Sequence, residues 1–162
     1  MNCICIVGKK NSGKTSSLNK LAFLILNNSD FEYINCFYMY SRIKECSINS
    51  VKNNIDHIYF FKHKITSKVI CLITRGDDIK SINKVFNIIK QTAIGNIDFY
   101  ICASRPNIKL IDEIVQKTNV PKKQTLYLYK CTDNFYLKGS DERYFTKNFS
   151  ESIFDVLKME LF

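Results

Sequence analysis

Gly8-Lys9-Lys10-Asn11-Ser12-Gly13-Lys14-Thr15 is the stretch on which the reading of this chain turns. It matches the pattern G-x(4)-G-K-[ST] without deviation, and it holds two of the only five glycines in 162 residues. Residues 2–7, just before it, place Cys3, Ile4, Cys5, Ile6 and Val7 in an uncharged run that ends in glycine, as a strand buried on both faces does. Just after it, residues 14–27 carry Leu18, Leu21, Ala22 and Ile25 at helical spacing, and Phe23, Leu24 and Leu26 make the remaining sides apolar. The spacing predicts a helix covered on most sides.

Strand, glycine turn and helix in that order give such a loop its chemistry. Gly8 is expected to supply a positive φ where the strand turns. Residues 9–15 then aim successive backbone N–H groups into one cavity, backed by the positive end of the helix. Gly13 lets the backbone approach an anion closely. Lys14 places a compact positive charge on it, and Thr15 offers a hydroxyl to a metal ion. Lys9, Lys10, Asn11, Ser12 and Ser16 belong to the same cradle, the loop positions chiefly through their backbone. The stretch resembles the Walker A motif of the P-loop NTPase superfamily. That resemblance implies ATP or GTP binding, with Lys14 on the β- and γ-phosphates and Thr15 on Mg²⁺.

The rest of the chain keeps an α/β rhythm. Residues 34–40, 58–62, 68–74, 97–103 and 125–131 read as strands, and 42–54 fits a helix or a loop equally. The short polar link 63–67 predicts a hairpin, although it contains no glycine. Residues 77–91 form an amphipathic helix with Ile79, Ile82, Phe86 and Ile89 on one face and Asp77 and Asp78 at its start. Residues 107–118 form another, with Ile108, Ile111, Ile114 and Val115 inward. A last helix within 141–160 packs through Phe149, Ile153 and Val156 or Leu157. The expectation is one domain over 1–162: a three-layer α/β sandwich on a mostly parallel sheet of about five to six strands with an antiparallel hairpin.

Bulk composition narrows the functional classes. Seven cysteines include no CxxC pair, and neither His57 nor His63 joins a cysteine at metal-ligand spacing, which argues against a zinc site or a redox dithiol. Cys3, Cys5, Cys71 and Cys102 lie in apolar runs and read as small buried hydrophobes of a reducing, cytoplasmic compartment. The longest apolar run, 21–26, is too short to span a bilayer. A net charge of +9 suits polyanionic partners, but the lysines are dispersed and no DNA-reading motif accompanies them, so nucleic acid is only weakly supported. Both histidines read as surface groups.

The second half of a triphosphate site is sought where the apolar run 69–74 meets Arg75-Gly76-Asp77-Asp78. Asp77 and Asp78 either reach the metal or cap the following helix. The run resembles a GTPase switch without the acid that precedes its glycine. Residues 102–107 carry no guanine-reading Lys and Asp, so ATP is favoured over GTP. Only four arginines stand against twenty lysines, and Arg42, Arg75 and Arg105 follow strand ends, the edge of a parallel sheet where ligands bind. Lys14, Asp77, Arg75 and Arg105 are thus the catalytic candidates, and Thr15, Asp77 and Asp78 the metal candidates. The resemblance implies Mg²⁺-dependent nucleotide binding, and the first reading built on it is a nucleoside triphosphatase that gates contact with a protein partner, with 43–67 as its moving part and Thr66 or Ser67 sensing the γ-phosphate. One alternative is a small-molecule or nucleotide kinase in which Asp30 or Glu32 activates the acceptor. The other is a non-hydrolytic nucleotide-binding module.

Overall fold

Small, uncharged and β-branched side chains extend residues 3–7 into β1 (Cys3–Val7), in which every residue is fully buried. It is paired on both edges, with β6 (Phe99–Ser104) and β7 (Thr125–Tyr129), both parallel to it. The computed structural model describes residues 2–39, 43–45, 55–130 and 140–161, with 43–45 and 140–148 as backbone only. Its other strands are β2 (Phe31–Met39), β3 (Ile43–Glu45), β4 (His57–His63) and β5 (Val69–Ile73). Its helices are α1 (Lys14–Leu26), α2 (Ile79–Gln91), α3 (Ile108–Thr118) and α4 (Ser140–Leu161).

The seven strands form one sheet in the order β3-β2-β4-β5-β6-β1-β7. β5, β6, β1 and β7 are mutually parallel, while β4 runs against both β5 and β2, and β3 runs against β2. β2 therefore points the same way as the parallel block. The expected hairpin is the β4–β5 pair, with Lys62 opposite Val69 and Ile58 opposite Ile73. Its turn manages without glycine because Ser67 adopts a left-handed φ of 58° and the His63 N–H donates to the Lys68 carbonyl. The strand beyond the expected five to six is β3, inside the stretch that fitted helix or loop equally. Arg42 and 46–54 of that stretch lie outside the described residues.

Helices cover both faces of the sheet. Leu18, Leu21 and Ile25 of α1 pack with Ile153, Leu157 and Leu161 of α4 against one face. Ile82, Val85 and Phe86 of α2 pack with Leu110 and Ile114 of α3 against the other. Each such side chain stabilises the fold by roughly 1.5–3 kcal/mol through burial. Cys3, Cys5, Cys71 and Cys102 are buried free thiols, as expected.

Two expectations about packing need correction. Ile79 and Ile108 were placed on inward faces but are 44% and 73% exposed. Each opens its helix, and a helical side chain leans toward the N-terminus, here past the edge of the sheet. His57 and His63 were read as surface groups, yet both are fully buried. β4 is an interior strand, so its ends are covered too. His57 stacks on Tyr59 at 5.3 Å, and His63 lies 5.2 Å from Phe31. Among the described residues, no helix is long and apolar enough to cross a membrane, and no cluster of three or more His, Cys, Asp or Glu side chains could hold a metal.

Candidate functional site

Where β1 ends, the chain wraps over the N-terminus of α1 and bounds a cavity of about 320 Å³. Its walls are Lys10, Asn11, Ser12, Gly13, Lys14, Thr15 and Ser16, with Thr74 and Asp77 from the β5 end. The left-handed turns fall at Asn11 (φ 61°) and Gly13 (φ 74°). Gly8, expected to provide the positive φ, does not. It is required for space, because a Cβ there would lie 2.5 Å from Ser12 Oγ and 2.9 Å from the Lys130 carbonyl oxygen. Lys14 is buried and its ammonium donates to the carbonyls of Gly8 (2.7 Å) and Lys9 (2.8 Å). Burial lowers its pKa and the nearby Asp77 opposes that shift. The Ser12 hydroxyl is buried on the cavity wall without a hydrogen-bond partner among the described residues. Native structures seldom strand such a group unless something else satisfies it.

Thr15 donates its hydroxyl to Asp56 Oδ1 at 3.0 Å and lies 3.4 Å from the Thr74 carbonyl. Asp56 immediately precedes β4 and was not among the expected site residues. The acid was expected at the C-terminal end of a strand. β4 runs antiparallel, so its N-terminal end arrives at the edge where β5 finishes. Two buried contacts fix that approach. Asn19 of α1 donates to the Ile55 carbonyl (3.0 Å) and accepts from the Tyr59 hydroxyl (2.8 Å). Thr74 accepts the His57 N–H (2.8 Å) and donates to Asp56 (3.4 Å). Burial pushes the Asp56 pKa up, while the hydrogen bond from Thr15 and the charge of Arg75 pull it down.

The remaining expected residues divide. Arg105 Nε donates to Asp77 Oδ1 at 2.9 Å, and that bond above all holds the Asp77 carboxyl below its usual value. Arg75 Nε sits 3.1 Å from Ser81 Oγ and 3.9 Å from Asp56 Oδ2. Arg105 thus stands beside Asp77 of the cavity wall, and Arg75 lies between Ser81 and Asp56, behind Thr15. Asp78 does not line the cavity. It caps α2, with Oδ1 accepting the Ser81 N–H (2.7 Å) and Oδ2 accepting the Ser81 hydroxyl (2.8 Å), so both carboxylate oxygens are engaged at the helix start. Gly76 lets the chain pass over β6, since a Cβ there would fall 1.8 Å from the Ala103 carbonyl oxygen.

Thr66, Ser67, Asp30 and Glu32 are far from this site. Thr66 and Ser67 form the β4–β5 turn, and the backbone carbonyl of Asp30, just before β2, accepts the Lys64 N–H (2.8 Å). That turn stands at the opposite edge of the sheet, separated from Thr74 by the five residues of β5, about 17 Å at ~3.3 Å per residue. The four residues expected to sense the γ-phosphate or activate an acceptor thus lie apart from the cavity. Comparison with protein-family models, with curated proteins and with solved structures finds no match for this chain.

Thr15 Oγ1, the Asp56 carboxylate and the Thr74 carbonyl form a compact set of hard oxygen donors. Such a set fits Mg²⁺.

Proposed function

We propose that this chain binds the triphosphate of a nucleotide, ATP in preference to GTP, over the N-terminus of α1 and hydrolyses it with Mg²⁺. The observation that carries the reading is that Lys14 and Thr15 line one small cavity and that Asp56, 41 positions away in sequence, accepts the Thr15 hydroxyl from behind that wall. Backbone N–H groups of the loop and the α1 dipole take the phosphate oxygens. Lys14 exchanges its two carbonyl partners for the β- and γ-phosphates. Thr15 and Asp56 would hold Mg²⁺, which when bound neutralises charge between those phosphates. Arg75 and Arg105 supply further positive charge at the rim. Asp77, kept ionised by Arg105, is too weak a base to deprotonate water and instead orients it toward the γ-phosphorus. The water oxygen bonds to phosphorus, the bond to the β-phosphate breaks, and the proton leaves with inorganic phosphate.

The kinase alternative loses its acceptor-activating acids to the far edge of the sheet. Measuring ATP and GTP binding and phosphate release, with Mg²⁺, for the intact protein and Lys14→Ala tests the reading. ATP binding and slow phosphate release that both vanish in Lys14→Ala are expected. Binding of neither nucleotide by the intact protein refutes the proposal, and ATP held without turnover reduces it to a binding module.

A further inference from the structure

We propose that Lys130 is a positioning residue of the phosphate loop, clamping the entry and the exit of the loop from beneath; the inference rests on the nucleotide-binding reading above. Lys130 follows β7 and is only 5% exposed. Its backbone N–H donates to the Val7 carbonyl (2.7 Å), the last residue before the loop. Its ammonium donates to the Gly13 carbonyl (3.2 Å), where the loop enters α1, and to the Ser17 hydroxyl one turn on. One residue therefore ties together the two ends of the segment that cradles the anion.

The contact at Gly13 has a directional effect. In a planar trans peptide the C=O and N–H point opposite ways. A Gly13 carbonyl fixed on Lys130 and on the Ser17 N–H (3.0 Å) turns the Lys14 N–H out of the helix toward the loop. The fit is close, since a Cβ on Gly13 would lie 3.2 Å from the Lys130 ammonium. The clamp is braced from α4: the Phe149 ring centroid lies 5.2 Å from that ammonium, and Ser150 donates to the Ser17 carbonyl at 2.8 Å. Lys130 thus acts on the anion through the loop rather than by touching it.

Lys130→Met keeps the length and apolar contact of the side chain and removes its donors. Ser17→Ala keeps the ammonium and removes one acceptor. Dissociation constants for pyrophosphate and Mg–ATP, with the Tm of the ligand-free protein, are compared among wild type, Lys14→Ala and these variants. Lys130→Met is expected to weaken both probes about tenfold and Ser17→Ala about threefold, each by more than the accompanying fall in ligand-free Tm accounts for. Binding of both probes within twofold of wild type, or weakening only in step with a lowered Tm, overturns the role. If Lys130→Met does not fold, Ser17→Ala decides alone. Failure of the wild type itself to bind either probe removes the phosphate site, and the inference with it. Wild-type binding matched by both variants removes Lys130 alone.

Discussion

Asp56, half-buried, and His57, fully buried, are adjacent and opposite in what they do with pH. Burial raises the Asp56 pKa above its ordinary 3.8, so the folded state holds that proton more tightly than the unfolded state. Its carboxylate therefore lowers the stability of the ligand-free protein at neutral pH, and stability recovers as pH falls through the folded pKa. Asp56→Asn should raise the ligand-free Tm by about 2–4 °C, the shift for ~1 kcal/mol in a chain of this size. The same variant should lose any stabilisation that Mg²⁺ adds to bound nucleotide; a fall in Tm by calorimetry would contradict this. His57 has the opposite sign. Burial lowers its pKa below 6.5 despite the hydrogen bond to the Ile55 carbonyl. Its contribution is full above about pH 6.5 and is lost as pH falls toward the folded pKa. Tm measured against pH in the Asp56→Asn background should fall more steeply below pH 6.5 than in the same protein carrying His57→Gln. Lys14 and Thr15 were readable in the sequence because their chemistry is written in eight consecutive residues. Asp56, Asn19 and Lys130 were not, because each reaches the site through a contact between elements distant in the chain.

The step from β5 into α2 shows how little room the site edge leaves. Gly76→Ala would drive a methyl group into the Ala103 carbonyl. Relieving that overlap moves the loop that carries Asp77, so the Tm should fall by roughly 2–12 °C, from ~1–3 kcal/mol of overpacking. Nucleotide affinity should weaken as well; a thermal melt and a titration on the same variant test both effects. Periodicity revealed all four helices and most strands, because each face is buried over several turns or alternations. Asp78 was readable as a cap from its place before Ile79, and the Ser81 contacts complete that role. Strand direction was readable only in the hairpin of residues 58–62 and 68–74. That antiparallel pairing sets Thr66 and Ser67 at the edge opposite the cavity and brings Asp56 to the cavity's own edge. The direction of β2, which carries Glu32, was not readable, because an apolar run reads the same both ways.

For the molecule as a whole, binding to the folded state alone should be visible as stability. Mg–ATP at about a hundred times its dissociation constant adds ~2.7 kcal/mol, which is roughly 5–11 °C of Tm here. A thermal shift of that size, absent in Lys14→Ala, would show that the cavity couples to global unfolding. β1 makes such coupling natural, since it lies inside the sheet with neighbours supplied only by Phe99–Ser104 and Thr125–Tyr129. On a ribosome, then, the loop proposed to cradle phosphate is translated long before its fold can exist. At roughly 5–20 residues per second, β1 waits on the order of ten seconds for its first neighbour and longer for the lysine that closes the loop. Until then its uncharged strand has both edges open and belongs to whatever chaperone surface meets it first, and the first captured nucleotide would mark a nascent chain whose sheet is complete.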